Sequence, residues 1–261
     1  MSLPSTAATT RALRPVGAYF AFTWDVAVEL FRHGVRGREF FDQAWSVVRV
    51  SLLPTAVITV PFGAVLSLHI GSLFAQIGAQ SMTGSVAVLG IVQQAAPIVT
   101  VMVVAGAAGT AVAADLGSRK IREELDALEV LGVSTIHRLV VPRVAAMAVV
   151  ATLLNAVATS VGVGGGYAFN VLVQDGSPGA YIHSFTTLSQ LADLWVGEIK
   201  AFLFGLIAGT VACYQGINAR GGPQGVGDGV NQSVVVSFVL LFIVNTVLTL
   251  VYYQLVPPKG M

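Results

Sequence analysis

The chemistry-bearing residues of this 261-residue chain are few, and most of them fall in one charged segment between two long uncharged apolar runs. It reads Ser118-Arg119-Lys120-Ile121-Arg122-Glu123-Glu124-Leu125-Asp126-Ala127-Leu128-Glu129-Val130-Leu131-Gly132. These side chains are suited to gripping rather than to making bonds. Ile121, Leu125, Leu128 and Leu131 form an apolar stripe, and carboxylates and basic groups fill the remaining surface, as in a short amphipathic helix. Ser118 suits an N-cap and Gly132 a left-handed C-terminal residue. Such a helix lies on lipid or docks on a soluble partner. Glu123, Glu124, Asp126 and Glu129 match an anionic inner leaflet poorly, and a partner bearing Lys or Arg suits them better.

Elsewhere the constellations of soluble enzymes are missing. There is no His-Glu-x-x-His, Cys-x-x-Cys or Gly-x-Ser-x-Gly. The loop Arg220-Gly221-Gly222-Pro223-Gln224-Gly225-Val226-Gly227 lacks the Lys-Ser/Thr that closes a phosphate-binding loop, and it follows an apolar helix rather than a strand, so a tight turn is expected. A lone Cys213 inside an apolar run excludes a disulfide framework and a multi-cysteine metal site. A net charge of +1 gives no field for nucleic acid. The chain is expected to be non-catalytic and to hold no cofactor; if ATP is used, another chain binds it.

The elements that position these residues follow from composition. With 55% hydrophobic and 10% charged residues and a mean hydropathy of +0.78, the chain is expected to be an all-α polytopic membrane protein. Five stretches reach the roughly 20 apolar residues a spanning helix needs: 50–78, 86–114, 144–173, 195–217 and 230–256. Arg11, Arg14, Arg32, Arg36, Arg38 and Arg49 precede the first, Arg119, Lys120, Arg122, Arg138 and Arg143 lie between the second and third, and Arg220 lies between the fourth and fifth. Only Lys200 and Lys259 remain for the other side, so the positive-inside rule predicts a cytoplasmic N-terminus and an extracytoplasmic C-terminus in a cell membrane. Arg11 and Arg14 are followed by no apolar core or cleavage site of a removable signal peptide. Phe20, Trp24, Ala27 and Phe31 recur at helical spacing beside Asp25, Glu29 and Arg32, which predicts an N-terminal amphipathic helix on the membrane surface or packed on the spans. After a break at Gly34–Gly37, Phe40, Phe41, Trp45 and Val48 continue the stripe, with Trp45 as an interfacial anchor.

Within the spans the notable residues are small. The run from Ala105 to Ala114 permits close helix contact. Gly162, Gly164, Gly165 and Gly166 supply either packing or a hinge, and Pro54, Pro61 and Pro97 are candidate kinks. His69, Asp115, Glu198 and Lys200 sit near span ends, where each is expected to reach water or headgroups. The polar groups closest to the apolar interior, Gln93, Gln94, Ser51, Thr55, Thr59, Asn155 and Asn245, are uncharged, as in a cavity for a mostly apolar molecule.

The runs Ala113-Ala114-Asp115-Leu116-Gly117, Ile121 to Gly132, and Val140-Val141-Pro142-Arg143 resemble the MlaE/YrbE permeases of lipid-transporting ABC systems. The Arg220–Gly227 loop matches further, and Pro97-Ile98-Val99-Thr100 more loosely. Arg38-Glu39-Phe40, Leu53-Pro54, Ile58-Thr59-Val60-Pro61, Asn155 and Val230-Asn231 are closest to the A-type YrbE subunits of actinobacterial Mce loci. The resemblance covers residues 40–255. It implies a cytoplasmic N-terminus and interfacial helix at 1–45, a permease domain at 46–256 and a tail at 257–261. Inside the domain it implies a coupling helix at 118–132 and an extracytoplasmic helical segment at 175–193.

On that resemblance Arg122, Glu123, Glu124, Leu125, Asp126, Leu128, Glu129, Leu131 and Gly132 would engage a cytoplasmic ABC ATPase dimer, which would carry the ATP and Mg. A B-type YrbE subunit would complete a heterodimer, with MCE-domain proteins on the extracytoplasmic side. The cargo would be a lipid, fatty acid or sterol, moved between the inner membrane and the outer envelope, with import the expected direction. A cavity at the dimer interface would be lined by Leu66, Ile70, Gln93, Gln94, Pro97, Val101, Phe238, Phe242 and Asn245. Many MlaE members carry Arg-Glu where this chain has Gln93-Gln94, so headgroup contacts of that pair do not transfer. Two other classes fit the residues alone: a lipid transporter that works without an ATPase, and a membrane scaffold for envelope proteins.

Overall fold

The computed structural model describes residues 6–78, 82–174 and 176–256, without the side chains of 6–15 and 185–188. The expected tail at 257–261 and Asp175 lie outside the described residues. The described chain is helical, with no strand. The order is α1 Thr6–His33, α2 Gly37–Gln76, α3 Thr83–Ile121, α4 Glu124–Val130, α5 Ile136–Val173, α6 Pro178–Leu188, α7 Leu191–Ile217 and α8 Gly222–Leu255. Of these, α2, α3, α5, α7 and α8 are long and apolar enough to cross a membrane. They start earlier than their apolar runs, because polar flanks such as 37–49 continue the same helix. Pro54 and Pro61 sit inside α2 without ending it.

The core lies among α3, α5 and α7, where Val104, Leu116, Met147, Leu154, Phe204 and Ala208 are buried together with Cys213. The outer helices bury far less, and only 11% of the most apolar stretch of α8 is covered. In lipid this exposure costs nothing, since acyl chains are as apolar as the side chains facing them.

The α2–α5 seam follows from a four-residue repeat. Val47, Ser51, Thr55, Thr59, Gly63, Ser67 and Gly71 are the buried residues of α2, one per turn. A Cβ on Gly63 would collide with the Gly162 carbonyl, and one on Gly165 would sit 3.1 Å from the Val60 carbonyl oxygen. Small residues let the two backbones touch. Ser51, Thr55 and Thr59, expected at a cavity for a mostly apolar molecule, are therefore sealed in a helix seam, where the Thr59 hydroxyl donates to the Thr55 carbonyl at 2.6 Å. Packing is thus the role of Gly162 and Gly165.

Helix α1 runs beside α7. Its Tyr19 hydroxyl bonds Thr210 at 2.9 Å, and Tyr19 and Phe22 stack on Tyr214 with centroids 5.5 Å apart. Burial raises the Tyr19 phenol above its ordinary pKa. Phe20, Trp24 and Phe31 point outward and are exposed.

Candidate functional site

Two polar assemblies stand out against the apolar body. The first surrounds a π turn at Ile91–Ala95 in α3. Pro97 has no N–H, so the carbonyl four residues earlier, that of Gln93, loses its helical donor. Lys200 of α7 takes that place, with Nζ 3.0 Å from the Gln93 carbonyl oxygen and 2.9 Å from Thr249 Oγ1 of α8. The Thr249 hydroxyl also accepts from Gln94 Nε2 at 3.2 Å and donates to the Asn245 carbonyl at 2.7 Å, which uses all of its capacity. Asn245 Nδ2 donates to Gln94 Oε1 at 3.1 Å. Gln93 Nε2 donates to Asp193 at 2.7 Å, and Tyr253 donates to Gln93 Oε1 at 3.0 Å. Asp193 accepts further from the Tyr252 hydroxyl and from the Gln190 backbone N–H, the latter as part of a capping box that starts α7.

Lys200 was expected to reach water by snorkelling. Instead it is 2% exposed, because its position on α7 points inward at α3 and α8. Among the described residues it forms no ion pair, and its two acceptors leave one of three ammonium protons unused. Glu198, also expected at an interface, is half-buried and accepts from Asn155 Nδ2 at 3.1 Å, leaving its second oxygen without a partner among the described residues.

Below this network, Val101, Phe238, Phe242 and Asn245 line one apolar crevice with Ile98, Met102, Phe204 and Leu241, between α3 and α8. Pro97 directly precedes the lining residue Ile98 on α3, and Gln93 and Gln94 lie about one turn above it. Leu66 packs elsewhere, against Ile91, Ala96 and Ala158, and Ile70 is half-buried one turn further along α2. The structure thus joins the second- and fifth-span residues and leaves the first-span pair on the other flank of α3. Lys200, Asp193, Thr249, Tyr252 and Tyr253 were missed from sequence. A usable signal was Pro97 itself, which demands a donor for the Gln93 carbonyl.

The second assembly is the charged segment. It is not one helix beginning at Ser118: α3 runs on to Ile121, and the Ser118 hydroxyl donates back to the Asp115 carbonyl at 2.8 Å. The chain then turns at Arg122 and Glu123, whose φ of 61° is the only positive value among described non-glycine residues. Helix α4 is only Glu124–Val130. It ends in a Schellman motif, with Val133 N–H to the Leu128 carbonyl at 3.0 Å, Gly132 N–H to the Glu129 carbonyl at 3.0 Å, and Gly132 at φ 74°. Ion pairs tie the segment to itself and to α5: Arg122–Glu124 at 2.9 Å, Lys120–Asp126 at 2.6 Å, Arg119–Asp115 at 3.1 Å, and Asp115 with the buried Arg143. Of the apolar stripe, Leu125 is buried and Leu128 half-buried, whereas Ile121 and Leu131 are exposed, as is Val130. Glu123 and Glu129, which form no ion pair among the described residues, stay exposed. A two-turn helix cannot shield both faces, so Val130 and Leu131 with these two carboxylates form an open amphipathic edge.

An all-helical chain with five membrane-length helices, an internal polar network and a charged helical turn between the second and third has the architecture of a multi-pass membrane protein. The chain belongs to the MlaE permease family, whose profile matches residues 40–251. It is 31% identical to a probable ABC transporter permease protein of Synechocystis over 92% of this chain and 91% of that one. It is 29% identical to a probable ABC transporter permease protein of Rickettsia bellii over 94% and 95% of the two chains. The chloroplastic protein trigalactosyldiacylglycerol 1 of Arabidopsis thaliana is 32% identical over 69% of this chain and 52% of its own length.

Proposed function

We propose that this chain is the membrane subunit of an ATP-driven Mce-type lipid transporter, an A-type YrbE permease pairing with a B-type one. Helix α4 docks on a cytoplasmic ATPase dimer that binds ATP and Mg, MCE-domain proteins meet the opposite face, and lipids, fatty acids or sterols are imported through the crevice between α3 and α8. The N-terminus then faces the cytoplasm and the C-terminus the outside. The observation that carries the reading is α4 itself: a short helix closed by a Schellman motif leaves Val130, Leu131, Glu123 and Glu129 uncovered while Leu125 is buried. A helix held this way transmits a push from a docked partner into α3 and α5 through Asp115 and Arg143. An amphiphile suits a crevice that is apolar below and bears an ammonium above, and one relative carries the name of a galactolipid.

The test is ATPase stimulation and lipid transfer by the reconstituted complex in nanodiscs or vesicles. Glu123→Lys with Glu129→Lys should abolish coupling while membrane insertion and helix content stay unchanged. Coupled transport at the unmodified rate would refute the docking role.

A further inference from the structure

On the same side of the bundle as α4, three donor groups converge that the transport reading does not use. Glu29 and His33 are one turn apart on α1, with His33 Nδ1 2.8 Å from Glu29 Oε2. His137 approaches from the π turn Ile136–Val140 that opens α5, its ring centroid 5.2 Å from that of His33. One ligand atom from each residue lies within 4.8 Å of the other two. The His137 Nδ1 is shielded from solvent and has no hydrogen-bond partner among the described residues. A shielded imidazole nitrogen without a partner costs free energy that coordination would recover.

We propose that Glu29, His33 and His137 form a binding site for a borderline transition-metal cation, Zn2+ being the best match. Two imidazoles and a carboxylate are a favoured donor set for zinc, at about 2.0–2.1 Å per bond, with a fourth position left for water. Tetrahedral bonds of that length set ligand atoms about 3.4 Å apart, so small side-chain rotations close the observed spacing. The i, i+4 pair on α1 is a preorganised half-site, and the third ligand comes from another element. Binding would therefore cross-link the C-terminal end of α1 to the segment that leads from α4 into α5. Helix α1 is otherwise held by Tyr19 and Phe22 against α7 and by Val26 and Leu30 packed on the core. A bound cation would add coordinate bonds to this apolar packing and stiffen the exit of the charged segment.

The test uses the full chain, free of any histidine tag, in nanodiscs with its copurified partners. After chelation, Zn2+ is titrated by calorimetry and the bound metal counted, and Co2+ is substituted to read the visible d–d band of a tetrahedral site. One metal per chain is expected. His33→Ala and His137→Ala should each weaken binding by more than about tenfold and remove the Co2+ band, whereas His69→Asn with His183→Asn should leave both intact. Absence of stoichiometric binding would overturn the site, as would binding indifferent to His33 and His137. Because both readouts are of metal alone, failure of the transport proposal would leave this result standing.

Discussion

Replacing Lys200 with Met removes an ammonium and keeps the length of the side chain. The ammonium makes two hydrogen bonds, to the Gln93 carbonyl and to Thr249. Bonds to a charged group contribute about 1.5–3 kcal/mol each, so the gross loss is about 3–6 kcal/mol. Against it stands the desolvation of a lysine that is 2% exposed and paired with no carboxylate, a cost of several kcal/mol that the Met variant avoids. The two nearly cancel, so stability should change by no more than about 2 kcal/mol in either direction. Cargo binding should respond differently. In the proposed transporter the spare ammonium proton would be a donor for an anionic or strongly accepting headgroup that enters the network, and losing one charge-assisted bond of about 1.5–3 kcal/mol would weaken its binding roughly tenfold to a hundredfold. Denaturant unfolding in mild detergent reads the first quantity, and mass spectrometry of copurified lipid with a binding titration reads the second. A loss of more than about 3 kcal/mol with unchanged lipid affinity would refute the reasoning and make Lys200 a structural member of the bundle.

Gly63→Ala drives a methyl into the Gly162 carbonyl and should cost about 1–3 kcal/mol, read as a lowered thermal midpoint; Gly164→Ala, where space is open, should change little. Gly132→Ala places a Cβ at φ 74° and should destabilise the end of α4 by about 1 kcal/mol, seen as faster local hydrogen exchange at Leu128–Val133. Tyr181 is buried, its hydroxyl has no partner among the described residues, and burial pushes its phenol up to about 12. Because the folded value is raised above the ordinary 10.0, its contribution to stability is intact below pH 10 and is lost as pH rises toward 12. Tyr181→Phe should be within about 1 kcal/mol of neutral at pH 7 and should remove that alkaline loss, as followed by unfolding at pH 8 and 11.

Five membrane-length helices were legible in the sequence because an apolar run of bilayer length has few other uses. The family was legible from the charged segment and its flanks, where residue types are constrained by contact rather than by lipid solubility. Gly132 announced its left-handed turn, since few other residues tolerate one. Only the tertiary structure decided which face of each span turns inward. In lipid, inside and outside are both apolar, so no amphipathic period marks the buried side. That is why Ser51, Thr55 and Thr59 looked like cavity residues and proved to be a seam, and why Lys200, near a span end, looked interfacial and proved to be buried. It is also why Ser118 looked like a cap: helix α3 gains more by continuing its hydrogen-bond ladder to Ile121 than by stopping at a serine. Length and hydropathy determined the number of spans, whereas the pairing of carbonyls, small residues and one lysine across helices required the chain to be folded.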